Sequence, residues 1–456
     1  KQEVETVLEE VEPTPEPTQT PEEAKTMAST ASNATKDAPQ VTDPSTWNDA
    51  GKTIMEALEK QYAPYGMTLQ AKEGTPYFLA VNRDANVVTV YTADEDGRYT
   101  VPFMAMVCSG GVDSTVAAYL MKKAGYRCMG ATMRLYQNED LGQSGFHTCC
   151  SAKDVEDAAE VAFQLDIPFE VVNYTEEFRE KVIAKFIETY EAGGTPNPCI
   201  DCNRTMKFDK MLDFAREHGL DYVVTGHYAR IEQDPATGRW LLKKALYTDK
   251  DQSYVLYVLT QDQLAHTKFP LGGMDKPSIR KIAEEQGFCN ARKHDSQDIC
   301  FVPDGDYVGF MERYTGKYYP DGDFLDVNGN VVGRHHGAVR YTCGQRKGLG
   351  LALGAPVYVC GKDMEKNTVT VGPESELFKT TLIAGDFNWI SVPELTAPMR
   401  VKAKARYRQA EQPATAYPLE NGLVKVVFDE PQRAITRGQA VVLYDGDVVV
   451  GGGTIL

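Results

Sequence analysis

A continuous apolar run, Phe103-Met104-Ala105-Met106-Val107-Cys108, passes directly into Ser109-Gly110-Gly111-Val112-Asp113-Ser114. A stretch with Val116, Ala117, Leu120 and Met121 on one helical face follows. Strand, Gly-rich turn, helix is the opening of an α/β nucleotide-binding unit. It constrains the rest of the chain, because a strand apolar at every position must be covered on both faces. The expected cover follows in order: strand "RCMGATMRL", helix 151–165, strand "PFEVVNY", helix 176–192, helix 205–218 and strand "DYVVTG". This alternation predicts a doubly wound, mainly parallel sheet over 104–305. Past 305 the strands become short and Gly-rich, predicting a small mixed domain over 306–377. The tight alternation of "RVKAKARY", "LVKVVF" and "QAVVLY" predicts an antiparallel β-barrel over 378–456.

The loop Ser109–Ser114 carries chemistry as well as shape. Its two glycines admit close backbone approach, and the helix behind them aims free N–H groups at a ligand. Ser109 and Ser114 add hydroxyls, and Asp113 can hold a cation or a ribose. The Gly-Lys-Ser/Thr of a Walker A loop is missing, so this is a different phosphate cradle.

A second signal is Thr195-Pro196-Asn197-Pro198-Cys199-Ile200-Asp201-Cys202-Asn203-Arg204. Two prolines stiffen the approach to a C-x-x-C ahead of a helix, where the helix dipole favours thiolate. No second C-x-x-C follows, which argues against a four-ligand structural zinc. A third cysteine sits in the polar segment Asp295-Ser296-Gln297-Asp298-Ile299-Cys300-Phe301. Ten cysteines arranged this way, with Cys149 and Cys150 adjacent, suit a reducing compartment and predict a cytoplasmic protein. No basic and apolar leader opens the sequence, so no signal peptide is expected, and no run is long enough to span a membrane.

The formal charge of −17 argues against a nucleic-acid partner until its distribution is considered. Residues 1–100 hold 18 Asp and Glu against 8 Lys and Arg, a net of −10, which leaves −7 for the remainder. Arg400, Lys402, Lys404, Arg406 and Arg408 alternate along one predicted strand, which puts all five on one face with Tyr407 opposite. Such a ladder suits a nucleic-acid backbone.

Residues 1–63 read as an acidic, Pro-rich, solvated tail with a short helix from Thr46. Within 64–103, Tyr77–Val81 and Asn86–Tyr91 read as strands, with Asp94–Gly97 as a hairpin turn before Tyr99–Val101. The segment "FLAVNRDANVVTVYTADEDGRYTVP" resembles the opening of a YkuD-type L,D-transpeptidase over residues 64–107. The catalytic motif of that family does not follow, so a fragment without transpeptidase chemistry is expected.

From Met104 onward the motifs "SGGVDSTVAAYLM", "TPNPCIDCNRTMKF", "TGHYARI", "KDQSYVLY", "DSQDICFV", "YTCGQRKGLG" and "KARYRQ" occur in one order. Together they resemble the bacterial tRNA-specific 2-thiouridylase family, and the first of them resembles the PP-loop of ATP pyrophosphatases. The resemblance implies ATP with Mg2+, and sulfur insertion at C2 of the wobble uridine in tRNAs for Lys, Glu and Gln. It implies ATP contacts from Val107, Cys108, Ser109, Gly110, Gly111, Val112, Asp113, Ser114, Met133 and Gly226. Asn197, Pro198 and Cys199 would face the target base. His227, Lys250, Asp251, Gln252, Arg406, Tyr407 and Gln439 match tRNA contacts. Cys202 matches the family nucleophile and Cys300 the persulfide carrier, supplied by a cysteine desulfurase or a sulfur-relay protein. Some relatives carry Asp where Cys199 stands. With Cys199 present there are three thiols, so an iron–sulfur cluster on Cys199, Cys202 and Cys300 is the alternative to a persulfide relay. A monomer is expected. Outside this family, the competing readings are an amide-forming PP-loop synthetase, which has no need of Cys202 or Cys300, and an exported cell-wall fragment fusion.

Overall fold

The structure, a computed structural model, describes residues 77–82, 87–92, 103–107, 111–136, 152–293 and 299–456. The tail 1–63, the strand Tyr99–Val101, the loop residues Cys108–Gly110, the Cys149-Cys150 pair and Asp295–Asp298 lie outside the described residues. The chain divides into two compact units, Lys1–Val101 and Pro102–Leu456. In the first, β1 (Tyr77–Asn82) and β2 (Val87–Thr92) pair antiparallel from Tyr77↔Thr92 to Asn82↔Val87.

The second unit opens on a five-stranded, wholly parallel sheet. Its strands are β3 (Phe103–Val107), β4 (Arg127–Arg134), β5 (Phe169–Asn173), β6 (Tyr222–Val224) and, after the hairpin β7 (Ala229–Gln233) and β8 (Trp240–Lys244), β9 (Thr267–Lys268). Their spatial order is β5-β4-β3-β6-β9. Chain order reverses at β3, so the loop after β3 opens at the switch point where α/β sheets bind ligands.

Side-chain alternation assigns the two faces. Along β4, Cys128 packs with Val116, Ala117 and Val161, whereas Ala131 and Met133 pack with Phe178, Phe186 and Phe214. Val223 and Val224 of β6 divide in the same way. One face is therefore covered by helices Val112–Lys123, Ala152–Gln164 and Lys276–Glu285, the other by helical segments within 175–191, 198–217 and 307–315. This is the period-2 consequence of a strand buried on both sides.

A four-stranded sheet follows, with β10 (Gly322–Leu325), β11 (Val331–His335), β12 (Tyr358–Asp363) and β13 (Thr368–Gly372) in the order β11-β10-β13-β12. The last module contains β14 (Phe378–Trp389), β15 (Met399–Lys404), β16 (Gln412–Pro418), β17 (Val424–Arg433), β18 (Ala440–Asp445) and β19 (Val448–Ile455). It is ordered β14-β17-β16-β15-β18-β19, and pairing of β14 with β19 closes it into an antiparallel barrel.

Two features join the barrel to the nucleotide-binding half. Hairpin β7–β8 extends the barrel sheet through Lys243↔Val448. One apolar cluster combines Ile200, Phe208, Tyr254 and Tyr257 with Ile390, Val442 and Tyr444. Gly452 permits the contact, since a Cβ there would lie 2.7 Å from the Tyr257 ring. The segment after β6, the C-x-x-C helix and the barrel therefore share one core.

Candidate active site

The helix Val112–Lys123 begins without a side-chain cap on Gly111, while Ser114 donates to the Gly111 carbonyl at 3.0 Å. Its first turn is approached by Gly226, just beyond β6. A Cβ on Gly226 would sit 2.7 Å from the Asp113 carbonyl carbon and the Ser114 nitrogen, so only glycine fits. The helix start and Gly226 are thus brought together. Met133 is buried on the neighbouring strand β4.

Asp113 does not stand open. Lys276 donates to both of its oxygens at 2.7 and 2.8 Å, and the Tyr228 hydroxyl donates to Oδ1 at 2.7 Å. Lys276 is only 9% exposed and starts the helix Lys276–Glu285, 163 residues along the chain. Neither Lys276 nor Tyr228 was singled out from the sequence. Tyr228 sits in the T-G-H-Y motif, and Lys276 carries no local signature beyond standing behind the N-cap Asp275.

The cysteines lie within the helix start rather than ahead of it. Asn197 is the N-cap, Pro198 and Cys199 form the first turn of Pro198–Asp201, and Cys202 opens a wider π-helical stretch, Cys202–Lys210. Proline at the first helical position, needing no N–H, sets this earlier start. Cys199 is exposed and Cys202 is buried. Between them Asp201 accepts from Lys185 at 2.6 Å. Cys202 belongs to the cluster of Phe178, Phe186, Met206 and Phe301, and half-buried Cys300 packs against that cluster. The Tyr136 hydroxyl, beyond β4, holds the Cys300 carbonyl at 2.8 Å. Both cysteines border this one apolar cluster. Among the described residues no group of three His, Cys, Asp or Glu is gathered as candidate metal ligands.

Several residues matched to RNA contacts are turned inward. His227 is 8% exposed, its ring between Phe208 and Phe269 and its Nδ1 2.7 Å from the Thr225 hydroxyl. Burial, helped by Lys207, holds its pKa well below the ordinary imidazole value, so the ring is neutral. Asp251 accepts from the Ala245 and Ser253 amides and from the Ser253 hydroxyl at 2.7 Å. Gln252 exchanges two bonds of 2.9 Å with the Tyr228 backbone. Lys250, half-exposed, is at the tip of this loop. Gln439 donates to the Thr195 carbonyl at 2.8 Å and to the Pro196 carbonyl at 3.3 Å.

The five-residue basic ladder is corrected. Strand β15 ends at Lys404 and the chain then turns, so alternation carries Arg400, Lys402 and Lys404 only. Arg400 is paired with Asp429. Arg406 points inward, donating to Ala434 O at 2.6 Å, Thr436 Oγ1 at 2.6 Å and Cys343 O at 3.2 Å. Tyr407 remains at the surface, 39% exposed, and its hydroxyl reaches Asp251 O at 3.4 Å. Burial raises its pKa, as do Asp251 and Cys199, while Lys250 and Arg408 oppose the rise. Tyr407, Cys199 and Arg408 are exposed and Lys250 is half-exposed.

Three family profiles match the chain: a tRNA methyl transferase HUP domain over 103–304, a tRNA methyl transferase PRC-barrel domain over 308–373 and an aminomethyltransferase beta-barrel domain over 379–455. The chain is similar to a tRNA-specific 2-thiouridylase MnmA of Clostridioides difficile, 51% identical over 347 residues that span 76% of this chain and 96% of that protein. The protein of the same description from Acetivibrio thermocellus is 51% identical over 351 residues, 76% of this chain and 97% of that one. That from Symbiobacterium thermophilum is 48% identical over 372 residues, 80% and 95% respectively. None of these matches supports the transpeptidase resemblance of residues 64–107.

Proposed function

The chain belongs to the tRNA-specific 2-thiouridylase MnmA family, and from that premise we propose how its residues thiolate tRNA. It is an enzyme, a sulfurtransferase that uses ATP to modify tRNA. The uridine is the wobble base of tRNAs for Lys, Glu and Gln. Its O2 attacks the α-phosphorus of ATP bound at Val107–Ser114, beside Met133 and Gly226, and pyrophosphate leaves. A carbonyl oxygen is a poor leaving group, and adenylation converts it to AMP. Asp113 would hold the Mg2+ that ATP brings only by giving up Lys276, which would then be the cation at hand for the phosphates.

Sulfur then arrives as a persulfide on Cys300, loaded by a cysteine desulfurase or a relay protein. Its terminal sulfur bonds to C2 and AMP departs. The Cys202 thiolate attacks the Cys300 sulfur, the S–S bond to the transferred sulfur breaks, and its electrons complete the C=S bond. A Cys202–Cys300 disulfide remains, to be reduced by an external thiol. Exposed Cys199, with Asn197 and Pro198, faces the base, and Tyr407, Lys250 and Arg408 contact the RNA nearby.

The observation that supports this reading is that Cys202 lies in, and Cys300 packs against, the same apolar cluster, with the Cys300 carbonyl held by Tyr136 just beyond β4. The test is mass spectrometry of tRNA nucleosides after incubation with ATP and a persulfide donor. 2-Thiouridine should form with equimolar AMP and pyrophosphate. Thiolation that persists in Cys300→Ser would refute the relay.

A further inference from the structure

The segment that presents the cysteines cannot hold itself in place. Pro196 and Pro198 have no N–H, and the Asn197 side chain makes no cap. The carbonyls of Thr195 and Pro196 are instead held by the Gln439 carboxamide, at 2.8 and 3.3 Å. The Thr195 amide donates to Arg437 O at 2.8 Å. Approach here is close: a Cβ on Gly438, which has φ +85°, would lie 3.1 Å from the Thr195 nitrogen, and one on Gly194 3.2 Å from Arg437 O. Gln439 is in turn fixed in the barrel, since Ile455 N donates to Gln439 O at 2.8 Å and Gly438 N to Ile455 O at 2.8 Å. Farther along, Arg204 donates to Asp386 of β14 at 2.7 Å. The barrel therefore grips the C-x-x-C segment on both sides, four residues before Cys199 and two after Cys202.

We propose that Gln439 is a positioning residue for sulfur transfer, acting through the Thr195–Pro196 backbone to set where Cys199 and Cys202 are presented, rather than a direct contact to RNA. This rests on the thiolation chemistry proposed above. Barrel and thiols then move as one body, so RNA seated on the barrel is registered against the cysteines.

Gln439→Glu keeps the shape but replaces the donor with an acceptor facing two carbonyls, and Gln439→Ala removes the group altogether. Both variants of the full chain are compared with the parent in tRNA affinity, single-turnover thiolation at saturating tRNA, and alkylation of Cys202 by iodoacetamide followed by mass spectrometry. Misplacement of a reacting group by an ångström costs as much as about 100-fold in rate, so thiolation should fall at least about tenfold while tRNA affinity changes less than about twofold. Cys202, buried in the parent, should alkylate faster. If Gln439→Glu fails to fold, Gln439→Ala supplies the same three readings. Weakened tRNA affinity, with thiolation at saturation and Cys202 alkylation unchanged, would make Gln439 an RNA contact and overturn the proposal. If the parent forms no 2-thiouridine, the functional reading fails, while alkylation of the variants still decides whether Gln439 holds the segment.

Discussion

Replacing Arg406 with Ala should cost stability and leave the salt dependence of tRNA binding untouched. The guanidinium joins two modules, meeting Ala434 O and Thr436 Oγ1 of the barrel at 2.6 Å each and Cys343 O of the middle module at 3.2 Å. A hydrogen bond from a charged donor contributes about 1.5–3 kcal/mol. The bonds share one side chain, and Thr436 also donates to the Ala434 carbonyl at 2.8 Å, so that acceptor keeps a partner. The net loss should therefore be about 2–3 kcal/mol rather than the sum. Urea denaturation followed by fluorescence reads this as a lower midpoint. Arg408, exposed in the turn beyond β15, is the control. Arg408→Ala should leave the midpoint in place and reduce the slope of log affinity against log salt by about one unit. An Arg406→Ala protein with a normal midpoint and a reduced slope would refute the assignment.

Three further outcomes are expected. Lys276→Met should weaken ATP binding and lower stability by about 1–3 kcal/mol, since it strands a partly exposed carboxylate; Asp113→Asn added to it should recover most of the stability but not the ATP binding, and strictly additive stability losses would deny the pair. His227 stays neutral when folded but takes a proton near pH 6.5 when unfolded, so its share of stability is whole above about pH 6.5 and falls as pH drops below it. His227→Gln should flatten that acid limb in denaturation midpoints measured from pH 7 to 5, and an unchanged limb would contradict the neutral ring. Cys202→Ser and Cys300→Ser should each abolish thiolation while pyrophosphate release survives, whereas Cys199→Asp should keep substantial activity; equal loss in all three, with iron lost from each protein, would restore the cluster alternative.

Local pattern reveals what local pattern controls. The apolar run 103–107 announces a sheet covered on both faces, and the burial of Cys128 on one face and Met133 on the other along neighbouring β4 matches that cover. Gly226 marks a close approach to Asp113 and Ser114 that no other residue can make. Lys276 escaped notice because its partner lies 163 residues away, and an isolated lysine before a helix signals nothing. Gln439, 244 residues from Thr195, is hidden for the same reason. The basic ladder failed differently. Alternation states which side a residue occupies only while the strand lasts, and the turn after Lys404 sends Arg406 into the junction. His227 matches a tRNA contact by its motif, and nothing local in T-G-H-Y announces the rings of Phe208 and Phe269 that pack beside it.

The barrel is closed by its final strand, Val448–Ile455, which pairs with β14, β18 and β8. During synthesis the nucleotide-binding sheet is complete long before that strand exists. A nascent or prematurely terminated chain can thus hold the parallel sheet while Gly438 and Gln439 still lack the Ile455 anchor. The thiols of such a chain are not yet set against the barrel. If Gln439 positions the cysteines as proposed, such a chain would reach its nucleotide-binding fold before it could transfer sulfur.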